Sequence, residues 1–194
     1  MALDKEYWEN RYLQKDTGWD LGQVSPPIKA YIDQLENKEI SILIPGCGNA
    51  YEANYLLENG FSNITLVDLS PTLVEQLKSN LNACQSQNIK VICGDFFSLN
   101  EKFDLIIEQT FFCALHPSLR KDYCIKMSEL LAPTGKLVGL LFNRSFENNP
   151  PFGGSEEEYE ELFSSFFQIQ KMEPCYNSIA PRQGSELFVS MTKR

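Results

Sequence analysis

The sequence predicts an α/β fold, a doubly wound and mostly parallel sheet finished by an antiparallel pair of C-terminal strands. Apolar runs of strand length at 40–44, 64–67, 89–93, 103–107 and 136–142 alternate with segments of helical periodicity, the pattern of successive strand–helix–strand units. The runs are continuously apolar rather than alternating, as in strands buried on both faces. Two further runs, at 166–171 and 186–191, are joined by a long connection containing Asn177, Pro181 and Arg182, and they read as the closing strand pair.

Taken in order, residues 4–15 predict a short helix with Asp4 as N-cap and Trp8 and Tyr12 four apart on one face. A turn-rich stretch follows, Thr17-Gly18-Trp19-Asp20-Leu21-Gly22, ending at Ser25-Pro26-Pro27. The aromatic residues of this 1–25 arm admit two readings: a staple that fixes the arm to the core, or a lid whose ring faces meet a cation. From Pro27, apolar residues at 28, 31, 32 and 35 mark an amphipathic helix. The first strand empties into Pro45-Gly46-Cys47-Gly48, and Tyr51, Tyr55, Leu56 and Leu57 belong to the helix behind it. Ser70-Pro71 opens a helix with the stripe Leu73, Leu77 and Leu81, expected to run to about Cys84. Past His116-Pro117 a helix carries Leu119, Tyr123, Met127, Leu130 and Leu131, and Pro133-Thr134-Gly135 is expected to end it. Asn149-Pro150-Pro151-Phe152-Gly153-Gly154 predicts a rigid loop, and Ser155 with Glu158 a capping box at an acidic helix start.

Chemistry concentrates at the strand ends. A Gly-x-Gly turn between a strand and a helix lets a ligand approach bare backbone, and the N–H groups of the helix start attract its polar groups. Asp68 ends the second strand, 22 positions after Gly46, where a carboxylate accepts ribose hydroxyls in a βαβ unit. The third glycine of the dinucleotide fingerprint is here Tyr51, which disfavours a pyrophosphate and favours an adenosine ligand such as S-adenosylmethionine. Asp95-Phe96-Phe97 offers an acceptor and an apolar slot for adenine, although taken alone it reads more readily as a capped turn with a core ring. Gln109 to Phe112, at the end of the fourth strand, should border the pocket. His116, beside a proline, reads as a turn residue rather than a base.

Composition narrows the partners. The 194 residues suit one domain spanning 1–194, with no internal repeat or second domain. A net charge of −9 with no basic run argues against a nucleic-acid partner. The six cysteines are scattered and the only histidine is His116, so metal-ligand spacing is absent and buried, reduced thiols are expected. No apolar run reaches the roughly 18 residues of a membrane span. A cytoplasmic protein acting on a small molecule is the expectation.

Trp8-Glu9-Asn10-Arg11-Tyr12, Gly18-Trp19-Asp20-Leu21-Gly22, Pro45-Gly46-Cys47-Gly48, Phe111-Phe112-Cys113-Ala114 and Pro150-Pro151-Phe152 together resemble the class I S-adenosylmethionine-dependent methyltransferases. Within that class the chain is most similar to the thiopurine S-methyltransferase family and its halide/thiol methyltransferase relatives. The resemblance implies a Rossmann-like methyltransferase fold with Trp8, Tyr12 and Trp19 covering the cofactor, Gly46 and Gly48 near its methionine part, Asp68 on the ribose, and Asp95 with Phe96 on adenine. Gln109 would border the cofactor where halide/thiol relatives place tyrosine, and Phe112, Phe152 and Arg182 would face the acceptor. The implied reaction is methyl transfer to a small soft nucleophile, most simply a thiol or another sulfur compound, or a halide. A thiol ionises near neutral pH without a dedicated base, and no catalytic residue is assigned. An O- or N-methyltransferase of small molecules, or a non-catalytic S-adenosylmethionine-binding module, are the alternatives.

Overall fold

The computed structural model describes residues 3–83 and 89–194. Seven strands form one sheet in the order β3-β2-β1-β4-β5-β7-β6, with β1 at Ile42–Pro45, β2 at Ile64–Asp68, β3 at Ile89–Cys93, β4 at Phe103–Gln109, β5 at Leu131–Phe142, β6 at Phe167–Pro174 and β7 at Glu186–Lys193. The first five pair in parallel, and β7 lies antiparallel between β5 and β6. The expected doubly wound sheet with its antiparallel closing pair is therefore present. After β1 the chain moves outward through β2 and β3 and returns to the other side of β1 at β4. That reversal opens a crevice at the strands' carboxyl ends, the usual place for a ligand in such sheets.

Side chains of each strand alternate between two cores, since successive Cβ atoms point to opposite faces. On one face Leu43, Ile106, Leu137 and Val189 pack with Tyr123, Met127 and Leu130 of α5 (Arg120–Leu130) and Tyr159 and Phe163 of α6 (Glu156–Ser164). On the other, Ile42, Ile44, Leu105, Ile107 and Val138 pack with α2 (Pro26–Ile32), α3 (Tyr51–Glu58) and α4 (Pro71–Ala83), through Ile28, Leu56, Leu73 and Leu77. Burial on both faces explains why the inner strands β1 and β2 are almost continuously apolar, while the edge strand β6 carries polar residues and is largely exposed.

Ends of elements moved more than their identities. The first helix, α1, spans Lys5–Leu13 with the Asp4 side chain accepting the Tyr7 N–H at 3.0 Å. Helix α2 stops at Ile32, so Leu35 lies beyond it in a turn. Ser70 does cap α4, its Oγ accepting the Leu73 N–H at 3.2 Å, while Cys84 falls outside the described residues. Pro133-Thr134-Gly135 does not end α5. The helix has already finished at Leu130, and these residues form an irregularity inside β5, between the pairs Phe103–Leu131 and Leu105–Lys136. Of the expected capping box, the Ser155 half is present, accepting the Glu158 N–H at 3.3 Å. The Glu158 carboxylate instead pairs with Arg120, whose charge outcompetes a neutral N–H for it.

Candidate active site

A cavity of about 490 Å³ opens at the carboxyl ends of β1, β2, β4 and β5 and is roofed by the N-terminal arm. Its floor is the glycine turn. Gly46 and Gly48 hold φ of +55° and +51°, and a Cβ on Gly46 would lie 2.4 Å from Cδ2 of Phe111. Only glycine permits both the left-handed backbone and this approach of the ring. Tyr51, on α3, lines the cavity and gives its hydroxyl to Asp20 Oδ2 at 3.3 Å, and Asn49 donates to the same oxygen. The arm's Gly18–Gly22 turn is thereby seated on the glycine turn.

Asp68 closes β2 with two N–H donors on its carboxylate, Ser70 at 3.0 Å to Oδ1 and Gly48 at 3.3 Å to Oδ2. Burial pushes its carboxyl up from the ordinary range, and those donors pull it back in part. Trp8, Tyr12 and Trp19 line the roof, the Trp19 ring meeting Trp8 edge-on at 5.5 Å and Tyr12 at 5.8 Å. The Arg11 guanidinium lies 4.9 Å from the Trp19 ring and joins the lining. At the end of β4, Gln109 lines the cavity with its Oε1 buried and without a hydrogen-bond partner. That atom asks for a donor, since a buried acceptor left unpaired is costly.

Beyond β4 and β5 the lining changes character. Cys113, Ala114, Leu115, Phe142, Phe146, Pro150 and Pro151 contribute an apolar part of the lining, to which Arg144 and Arg182 add positive charge. Arg182 donates to the Trp19 carbonyl at 2.9 Å and to Glu186 Oε1 at 3.4 Å, and lies over the Phe142 ring at 5.4 Å. It ties the arm to the C-terminal connection. Burial pushes the Cys113 thiol well above its ordinary value, so it is held neutral and unreactive.

The expected residues thus divide. Trp8, Tyr12, Trp19, Gly46, Gly48, Asp68, Phe96, Gln109 and Arg182 gather around the cavity. Three do not. Asp95 is exposed, and its carboxylate caps the short turn Phe96–Ser98 by accepting the Phe97 N–H at 2.9 Å. Phe112 is 1% exposed and packs on Tyr123, Tyr159 and Phe163, because Thr110 takes a positive φ of 60° and the following turn brings Phe111 to the cavity instead. Phe152 sets its ring against His116 at 5.6 Å and gives its N–H to the Cys113 carbonyl at 2.7 Å, leaving Pro150 and Pro151 to meet the cavity. His116 caps a turn through Nδ1, as its setting suggests.

Several residues at or behind the site escape a reading of the sequence. Glu52, in the first turn of α3, is buried in the lining and accepts the Ser25 N–H at 3.1 Å. Glu108 is buried behind the β4 loop, where Oε1 accepts the N–H groups of Phe111 at 2.8 Å and Phe112 at 3.0 Å. A carboxylate at a strand end is the only signal such a residue leaves in sequence.

A family model described as thiopurine S-methyltransferase (TPMT) matches residues 3–192. A probable thiol methyltransferase 2 of Arabidopsis thaliana is 31% identical over 186 residues, covering 92% of this chain and 81% of the relative. A thiopurine S-methyltransferase of Teredinibacter turnerae is 26% identical over 188 residues, covering 88% and 87%. Among solved structures, a Burkholderia thailandensis 1,6-didemethyltoxoflavin-N1-methyltransferase with bound S-adenosylhomocysteine superposes with a TM-score of 0.79 at 19% identity, covering 97% of this chain and 86% of that one. A TehB-like SAM-dependent methyltransferase of Corynebacterium glutamicum gives 0.68 at 17% identity, with 98% of both chains covered. At those identities the two structures speak for the fold.

Proposed function

Because the chain belongs to the thiopurine S-methyltransferase family and is an S-adenosylmethionine-dependent methyltransferase, we propose that it methylates a small sulfur acceptor, a thiol or a thiol-like anion, in the cavity between the arm and the β4–β5 end of the sheet. The makeup of the acceptor side carries this reading. Arg144 and Arg182 line it within an apolar wall, Arg182 with its charge paired to Glu186, and Glu52 lines the same cavity. Such a wall suits an acceptor that sheds its own proton near neutral pH and meets positive charge as an anion, which thiols do far more readily than alcohols.

The residues present fit the cofactor. Asp68 offers carboxylate oxygens at a strand end for the ribose hydroxyls, the bare backbone of Gly46 and Gly48 makes room for the methionine part, and the orphaned Gln109 Oε1 is an acceptor for an ammonium or hydroxyl donor. Phe96 and Gly94 supply an apolar slot for adenine. Bound S-adenosylmethionine supplies a methyl group activated by a sulfonium. Trp8, Tyr12 and Trp19, in the roof of the cavity, exclude water from it. Positioning, rather than proton transfer, is the chain's contribution to rate.

A small soluble substrate rather than a nucleic acid, and a cytoplasmic location, complete the proposal. The net charge of −9 supports the first, and no helix among the described residues is long and apolar enough to cross a membrane. Turnover of S-adenosylmethionine against a panel of thiols, sulfide, thiocyanate and halides tests the assignment. Turnover with sulfur acceptors is expected, and silence across the panel in a protein that binds S-adenosylhomocysteine would sink it.

A further inference from the structure

Glu9 stands next to Trp8 on α1 but reaches away from the cavity, to the start of α4. Its carboxylate accepts the Ser70 hydroxyl at 2.5 Å and the Thr72 N–H at 3.2 Å on Oε2, and the Thr72 hydroxyl on Oε1. The first N–H groups of a helix have no partner within it, and its positive end favours an anion. Burial raises the Glu9 carboxyl, and the hydrogen bonds from Ser70 and Thr72 outweigh that, leaving it below its ordinary value. The arm is therefore docked by a charged residue drawn from α1 itself.

Ser70 is shared between two carboxylates. Its N–H donates to Asp68 Oδ1 at 3.0 Å while its hydroxyl donates to Glu9. Asp68 Oδ2 in turn receives the Gly48 N–H at 3.3 Å. An unbroken chain of hydrogen bonds runs from the arm, through Ser70 and Asp68, to the glycine turn. Ser70 has 0% exposure, so water cannot readily replace either partner.

We propose that Glu9 is a positioning residue for methyl transfer, latching the aromatic arm to α4 so that arm closure and the orientation of Asp68 are set together. The inference rests on the S-adenosylmethionine reading of the cavity. Glu9 does not line the cavity; it acts through Trp8 and Tyr12 on its own helix and through Ser70 on Asp68. An arm closed only part of the time lowers apparent cofactor affinity by the closed fraction.

Both tryptophans of the chain, Trp8 and Trp19, lie in the arm, so acrylamide quenching of intrinsic fluorescence reports arm closure in the full-length protein. Titration with S-adenosylhomocysteine reports binding in the same sample. Glu9→Ala is expected to raise Kd about tenfold and to increase quenching of the ligand-free protein, since hydrogen bonds to a charged group are lost. Thr72→Val, which removes one donor, is expected to raise Kd about threefold, and it carries the same two readouts should Glu9→Ala fail to fold. Glu9→Gln keeps an acceptor oxygen and is expected to recover part of the affinity. Unchanged Kd in Glu9→Ala overturns the proposal, as does a weakened Kd with quenching unchanged, because the loss would then not run through the arm. A wild-type protein that fails to bind S-adenosylhomocysteine refutes the underlying cofactor reading instead, and the two failures are distinct.

Discussion

The hydroxyl of Tyr123, on α5, donates to Glu108 Oε2, at the end of β4, across 2.7 Å, with both side chains buried. Together with the two N–H groups on Oε1, this bond fixes the loop that presents Phe111 to the glycine turn. Burial pushes the Glu108 carboxyl up from 4.5 to about 7. Between those values the folded chain holds a proton that the unfolded chain has released, so this residue's contribution makes stability fall as pH rises through the window and leaves it level above. The size is on the order of 2–3 kcal/mol. Glu108→Gln keeps an acceptor for the loop N–H groups and removes the titration. Melting at pH 5 and pH 8 should show a smaller drop in the variant, by roughly 5 °C, and parallel pH profiles for the two proteins would contradict the assignment.

Asp68→Ala removes the carboxylate assigned to the ribose and leaves the Gly48 and Ser70 N–H groups without their acceptor. Hydrogen bonds to a charged acceptor are worth about 1.5–3 kcal/mol each, so S-adenosylhomocysteine affinity should fall roughly a hundredfold or more. Isothermal titration measures this, and an unchanged Kd would remove the ribose assignment.

Gly46→Ala meets two obstacles, a φ of +55° and a Cβ 2.4 Å from the Phe111 ring. The left-handed backbone alone costs an L-residue about 1–2 kcal/mol, and the ring must also move out of place. The expected outcome is a lower Tm and weakened cofactor binding. Adding Phe111→Ala should restore part of the stability by relieving the contact while the backbone strain persists. A double variant no more stable than Gly46→Ala would show that the ring is not the obstacle.

Arg120 holds the 143–155 loop from beneath. It is 6% exposed, pairs with Glu158, donates to the Gly153 carbonyl at 2.7 Å and lies 5.0 Å from the Phe112 ring centre. Arg120→Met fills the space without the charge. Glu158 is half exposed and can return to water, so the loss should be about 1–3 kcal/mol rather than that of a fully buried broken pair. Since Pro150 and Pro151 of this loop line the acceptor side, the acceptor KM should rise while cofactor Kd stays put. Equal effects on both would mean the loop does not act on the acceptor side alone.

Local sequence determined the strands, the helices and the glycine turn, because apolar runs, caps and a Gly-x-Gly spacing are written within a few residues of one another. It also determined Asp68, whose place depends only on ending a strand one unit after the turn. The family resemblance brought Trp8, Tyr12 and Trp19 to the same cavity. Which of two adjacent phenylalanines faces that cavity was settled only by tertiary structure: Tyr123, 15 positions on, holds the Glu108 carboxylate that bonds the loop, so that Phe111 turns to Gly46 and Phe112 to the core. The same holds for Glu9, whose partners Ser70 and Thr72 lie 61 and 63 positions away, whereas Asp95 caps its own turn two residues on, as the local reading of that stretch has it. Contacts across such separations depend on how the sheet and its helices stack, and no short-range pattern in the chain records them.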